Sequence, residues 1–311
     1  VEKQLASGVY VYFQYSLPGG TVRQAYIGPK SRALDALTVR FAEERVLVRA
    51  EHASTQSLCA ALRGAGAAVA DSASARVLAA LADSGVFKLG GVLVGTNAFV
   101  VLGNVLGVRW DGASARTEDV DIGASRTLEV AVPELEADLP RALESLDMGF
   151  LPVPGFSPDA PSTSFKVRGR GLRVDLVTPA RDGASAPVPI PRLNAAAAPV
   201  RFLELLLADP QPAAVVASSG ILVNVPDPAR FAIHKLLVAQ DRPAALQTKS
   251  RKDVTQAAHL VRALAELRPS DVDGAISDAK KRGKRWRSAL ERALLLLAKH
   301  DPQARSLIGA R

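Results

Sequence analysis

Sulfur is nearly missing from this chain. One cysteine, Cys59, stands among 311 residues. A single thiol excludes an intramolecular disulfide and suits a reducing compartment, so a cytoplasmic protein is expected. Cys59 itself reads as a small core side chain. The histidines, His52, His234, His259 and His300, are scattered, and nothing in their spacing resembles a zinc site. The opening "VEKQLASGVY" lacks the basic-then-apolar profile of a secretory signal. One uncharged run, Leu89 to Val108, has about the length of a membrane span. Glycines and asparagines interrupt it, so it reads as a buried strand followed by a buried helix, and no membrane partner is expected. "GVLVGT" lacks the lysine of a Walker phosphate loop. No Ser/His/Asp arrangement is visible at motif level, and no internal repeat is present.

What is present is ordinary for a globular protein: 48% hydrophobic and 23% charged residues. The formal net charge of +8 favours a polyanionic partner, nucleic acid or nucleotide. The pattern predicts an α+β chain in three parts. Residues 1–70 form a β-hairpin and a long helix over 31–63. Residues 71–226 form a core with a mixed sheet. Residues 227–311 are helical, with helices near 228–240, 252–267, 271–281 and 284–299. In the hairpin, Tyr10 and Tyr12 share one face and Val11, Phe13 and Tyr15 the other, around a turn at Pro18-Gly19-Gly20. Within the core, a helix is expected over 74–83 with Ser72 or Ser74 as cap. A strand follows over Val86–Val94, with a tight turn at Gly95-Thr96-Asn97 and a helix to Leu106. Pro133 is expected to open a helix reaching Leu146, and "TSFKVRGRGLRVDLVTP" is a hairpin. The Pro/Ala-rich stretch 179–199 shows no element, and "ILVNVP" is a strand.

The chemistry concentrates in "ARTEDVDI". On a strand, Asp119 and Asp121 share one face, and Val120 and Ile122 share the other. Asp175, in "LRVDLV", lies mid-strand opposite Val174 and Leu176. If the two strands pair, three carboxylates converge and repel one another. Divalent cations relieve that repulsion: Mg²⁺ binds one or two carboxylates together with substrate phosphates. Two such ions can serve in-line displacement at phosphorus. Gly95, Thr96 and Asn97 open a helix whose free N–H groups suit a phosphate. Arg116 is a candidate phosphate contact or a surface salt bridge.

A strand, a Gly-Thr turn, a helix, "RTEDVDI", then a later strand aspartate resembles the DNA polymerase β-like nucleotidyltransferases, over roughly residues 86–177. The turn departs from the usual Gly-Gly or Gly-Ser. More loosely, "PARFAIHKLL" and "KSRKDVTQAAHL" resemble the abortive-infection-type toxins of that superfamily. The N-terminal hairpin is similar to that of a bacterial subfamily with this fold. The resemblance implies a polymerase β-like core and transfer of a nucleoside monophosphate from an NTP with release of pyrophosphate. It implies Mg²⁺ or Mn²⁺ on Asp119, Asp121 and Asp175, with Asp175 also helping to deprotonate the acceptor. It carries catalytic or nucleotide-binding roles onto Lys235 and Asp253. The acceptor stays open between RNA, tRNA among it, and a protein. A small molecule of the antibiotic type and a non-catalytic nucleotide- or nucleic-acid-binding module are the alternatives. A cognate antitoxin is a possible partner. In "KKRGKRWR", Lys280, Lys281, Arg285 and Arg287 could follow a nucleic-acid backbone with Trp286 stacking on a base, or form a solvated helix end with Trp286 in the core.

Overall fold

The computed structural model describes every residue except 17–21, 111, 116, 126–135, 156–160, 182–184 and 310–311. By its contacts the chain divides into two compact units, Val1–Ala61 and Leu62–Arg311.

In the first unit, β1 (Glu2–Leu5), β2 (Gly8–Ser16) and β3 (Val22–Pro29) form an antiparallel sheet in that order. The alternation sets Tyr12 opposite Tyr26, with ring centroids 5.5 Å apart. Phe13, on the other face, meets Phe41 edge-on at 5.7 Å. Phe41 belongs to α1 (Arg32–Gly64), close to the helix expected over 31–63. The Pro18-Gly19-Gly20 turn lies outside the described residues.

The second unit begins with α2 (Ser72–Asp83). Its cap is Asp71, whose carboxylate accepts from the Ala73 and Ser74 N–H groups, and not a serine as expected. The next strand is also shorter than expected: β4 is Val92–Val94 only. Residues before it turn, with Gly85 and Gly90 at φ +92° and +86° and the Gly91 N–H on the Val86 carbonyl. Then come α3 (Gly95–Leu106), α4 (Gly112–Ala115), β5 (Asp119–Gly123) and α5 (Leu139–Glu144). Asp138 caps α5, so this helix starts later than the Pro133 start expected, and Pro133 lies outside the described residues. The strands β6 (Phe150–Pro152), β7 (Ser164–Val167) and β8 (Arg173–Pro179) follow, with β7 and β8 pairing as the expected hairpin. The stretch 179–199 does hold structure: β9 (Val188–Ile190) and β10 (Ala195–Val200) pair antiparallel. Alanine and proline there hide the apolar–polar alternation that marks a strand.

The seven-stranded sheet runs β4-β5-β8-β10-β9, with β7 also on β8 and β6 on β7. It is mixed: β5 and β10 run parallel to β8, while β4 and β7 are antiparallel to their neighbours. Past α6 (Leu203–Leu206), a two-stranded sheet pairs β11 (Gln211–Val215) with β12 (Ile221–Val225). The chain closes with α7 (Pro228–Ala239), α8 (Gln247–Leu267), α9 (Asp271–Lys281), α10 (Lys284–His300) and α11 (Pro302–Ser306). One continuous core joins the sheet to these helices, with Val120, Ile122, Val174 and Leu176 fully buried in it. The uncharged run is part of it as β4 and α3, and no helix among the described residues is long and apolar enough to cross a membrane.

Candidate active site

Strand register brings the carboxylates together. β5 lies parallel to β8 with Asp121 directly beside Asp175 and Asp119 beside Arg173. The fully buried residues between them fix the face: a one-residue slip would drive Asp121 and Asp175 into the core. All three aspartates are half-buried.

The Asp121 carboxyl is pushed up to about 6, first by burial and then by the charge of Asp175. Lys235 and Lys249 pull it down, less strongly. Asp175 is also raised, again chiefly by burial. Ser164, its cross-strand partner on β7, has a hydroxyl near enough to pull the other way, although no hydrogen bond of good geometry forms.

The start of α3 faces this pair. Gly95 has φ +66°, and a Cβ there would run into the Asp121 carboxylate, so both conformation and contact require glycine. No side chain caps this helix terminus. Its first N–H groups therefore lack the partner that Asp71 gives α2 and Asp227 gives α7. Thr96 and Asn97 follow, both buried. The Asn97 amide donates to the Asp119 carbonyl at 2.8 Å, bracing β5 against α3. The Thr96 hydroxyl accepts from Gln256 Nε2 at 3.3 Å, which leaves its own O–H free to donate.

Lys235 and Asp253 are joined. Lys235 Nζ lies 2.7 Å from Asp253 Oδ1, and Arg242 closes on Oδ2 at 2.6 and 2.7 Å. Asp253 is thus a buried carboxylate held by two cations. His234, beside Lys235, is fully buried and held neutral, lowered to about 3 by burial and then by Lys235. Lys249 and Gln256 escaped the sequence reading, yet their signal was present. With Asp253 they fall at i, i+4 and i+7 on α8, a single helix face. Lys249 is exposed and acts electrostatically on Asp121 and Asp175. Gln256 is fully buried and also donates to the Ser114 carbonyl at 2.8 Å, tying α8 to the segment before β5.

Two other sequence candidates fare differently. Arg116 lies outside the described residues. Trp286 is buried and packs edge-on against Phe202 at 4.7 Å, so it is a core residue rather than a platform for a base. Lys280, Lys281, Arg285 and Arg287 around it are exposed.

A nucleotidyltransferase family model matches residues 72–281. The chain belongs to that nucleotidyltransferase family. The match spans β4, α3, β5 and β8 and extends through Lys235 and Asp253. Comparison with curated proteins gives no match. Among solved structures, an antigenic nucleotidyltransferase-like protein from Paracoccidioides brasiliensis is similar over 72% of this chain and 95% of its own, at 16% identity and a TM-score of 0.34. At that score the likeness carries no argument, and the fold rests on the strand register described above.

Among the described residues, no three His, Cys, Asp or Glu side chains gather into a closed metal cage. Mg²⁺ does not need one, because it keeps waters and takes one or two carboxylates plus phosphate oxygens. Asp121 beside Asp175, each resisting ionisation chiefly because of burial, fits that open kind of site.

Proposed function

We propose that this family member is a metal-dependent NMP transferase with its reaction centre at Asp121 and Asp175. The observation that carries the reading is their direct register against the uncapped start of α3, with Gly95 pressed on Asp121. Mg²⁺ or Mn²⁺, held by Asp121 and Asp175 with Asp119 at the edge, would supply charge neutralisation at the α-phosphate and at the leaving oxygen. The free N–H groups of Gly95 and Thr96, and the Thr96 hydroxyl, bind the β and γ phosphates. Lys249 neutralises them from the exposed side. Lys235 contributes its field while remaining tied to Asp253.

In the reaction, an acceptor oxygen attacks the α-phosphorus. The bond from that phosphorus to the bridging oxygen breaks, and pyrophosphate leaves. Asp175 takes the acceptor's proton as general base.

For the acceptor we favour RNA, tRNA included, over a protein or a small molecule. The support is the net charge of +8 and the exposed Lys280, Lys281, Arg285 and Arg287. A toxin-like role with an antitoxin partner stays within this proposal. Incubation with each labelled NTP, Mg²⁺ or Mn²⁺ and total cell extract tests it. Label should enter RNA, and Asp121→Asn should remove it. Label in a small molecule would replace the acceptor, and no metal-dependent label from any NTP would overturn the reading.

A further inference from the structure

The first unit has almost no interior. Among the described residues of 1–61, Cys59 is the one buried apolar side chain. Fourteen of the twenty-three exposed large apolar side chains among the described residues lie in this unit, about a fifth of the chain. The helix α1 runs for 33 residues, about 50 Å at 1.5 Å per residue, with a single buried position. Helices of globular proteins draw most of their stability from a packed face, and α1 has scarcely any within its unit. Val46, Leu47 and Val48 are consecutive and 65%, 65% and 61% exposed. A run of that kind on a solvated helix is unfavourable unless something covers it. Towards the sheet, an open groove of about 890 Å³ is lined by apolar side chains including Phe13, Ile27, Leu37 and Phe41.

We propose that this unit is a homodimerisation module, in which a second copy of the chain covers the apolar surface of α1 and its groove. Two observations select a second copy. The first is area. Leu5, Val22 and Tyr26 lie on the far face of the sheet; at roughly 80 Å² for each half-exposed apolar side chain, the other eleven, on α1 and around the groove, present on the order of 900 Å² per protomer, where aromatic side chains bury 150–250 Å² when fully covered. That exceeds the roughly 300–600 Å² patch of a typical monomer, and two copies would bury about 1,800 Å² in all, within the roughly 1,200–2,000 Å² of a stable specific interface. The second is charge. The middle of α1 carries Arg40, Glu43, Glu44, Arg45, Arg49 and Glu51, all exposed and three of each sign. A copy of the same helix turned end for end offers both signs in return. A polyanion, or any partner of one sign, would meet as much repulsion as attraction.

The test is the mass of the full-length protein by sedimentation or light scattering, from about 1 to about 100 μM, a range that brackets what such an interface supports. A particle of twice the 32.7 kDa protomer mass is expected to dominate the upper part of the range. Val46→Glu combined with Leu47→Glu should weaken association at least about 100-fold, as removing central interface anchors does. Neither residue lines the groove, and glutamate favours helix, so far-UV helix content should hold. A wild-type monomer throughout the range overturns the proposal without reference to any variant. So does a folded double variant that dimerises as well as the wild type, or a monomer that takes RNA on this face.

Discussion

Asp121 on β5 faces Asp175, each made reluctant to ionise chiefly by burial that nothing fully compensates. Asp253 on α8 is more deeply buried, yet Lys235 and Arg242 both lie within 2.7 Å of its oxygens. The second carboxylate is complete within the folded chain and the first pair is not. A carboxylate buried with its cations is part of the architecture. A half-buried carboxylate pair with no cation in contact among the described residues, beside uncapped helix N–H groups, is where the proposed reading places the divalent cations.

This contrast can be attacked by one chemical change at both positions. Asp121→Asn should cut nucleotidyl transfer by at least about 1,000-fold, roughly 4 kcal/mol of barrier, and a transfer assay reads it. Its metal-free melting temperature should hold or rise, because one of two repelling charges is gone. Asp253→Asn should do the reverse to stability and lower it by about 3–5 kcal/mol, since Lys235 is left buried without its counter-charge. A thermal melt decides the sign at each site. Equal effects at the two positions would dissolve the distinction.

A pH series sharpens it. The Asp121 carboxyl moves from an ordinary 3.8 to about 6 on folding. Between those values the native protein holds a proton that the unfolded chain has released, so metal-free stability should fall as pH rises from about 4 to about 6. The loss is at most on the order of 2–3 kcal/mol. It should be smaller in Asp121→Asn and in protein saturated with Mg²⁺ and NTP. A profile identical in wild type and Asp121→Asn would mean that Asp121 titrates normally.

Smaller effects belong to the supports. Gln256→Ala leaves the Ser114 carbonyl without its buried donor and should cost about 1–2 kcal/mol by denaturant titration, with a further loss of NTP affinity through Thr96. Neutralising Lys280, Lys281, Arg285 and Arg287 together should leave stability nearly unchanged and flatten the salt dependence of RNA binding. An unchanged salt slope would return that surface to ordinary solvation.

The carboxylate pair was legible in the sequence because strand alternation is a local property. Val120 and Ile122 in one run, and Val174 and Leu176 in the other, announce which face Asp121 and Asp175 occupy. Gly95 was legible for the same local reason, as a glycine between strand and helix. The Asp71 cap, β9 and β10 were not. A cap is chosen among neighbouring Asp and Ser residues by small differences in backbone angle. β10, largely alanine, carries no alternation to read, and β9 is three residues with a proline at its centre. The Arg242 contact to Asp253 runs from the loop after α7 to α8, which no local period encodes. Trp286 illustrates the opposite hazard. It sits in a basic run that advertises nucleic acid, while its ring is held by Phe202, 84 positions earlier in the chain.

On the proposed reading divalent cations complete the pair on β5 and β8, and NTP affinity measured by calorimetry with and without Mg²⁺ or Mn²⁺ tests that directly. Wild-type protein should bind NTP at least about tenfold more tightly with the cation, 1.4 kcal/mol or more, and Asp121→Asn should lose most of that gain. Equal NTP affinity before and after chelation, with Asp121→Asn indistinguishable from wild type, would contradict it and leave the two aspartates as structural neighbours.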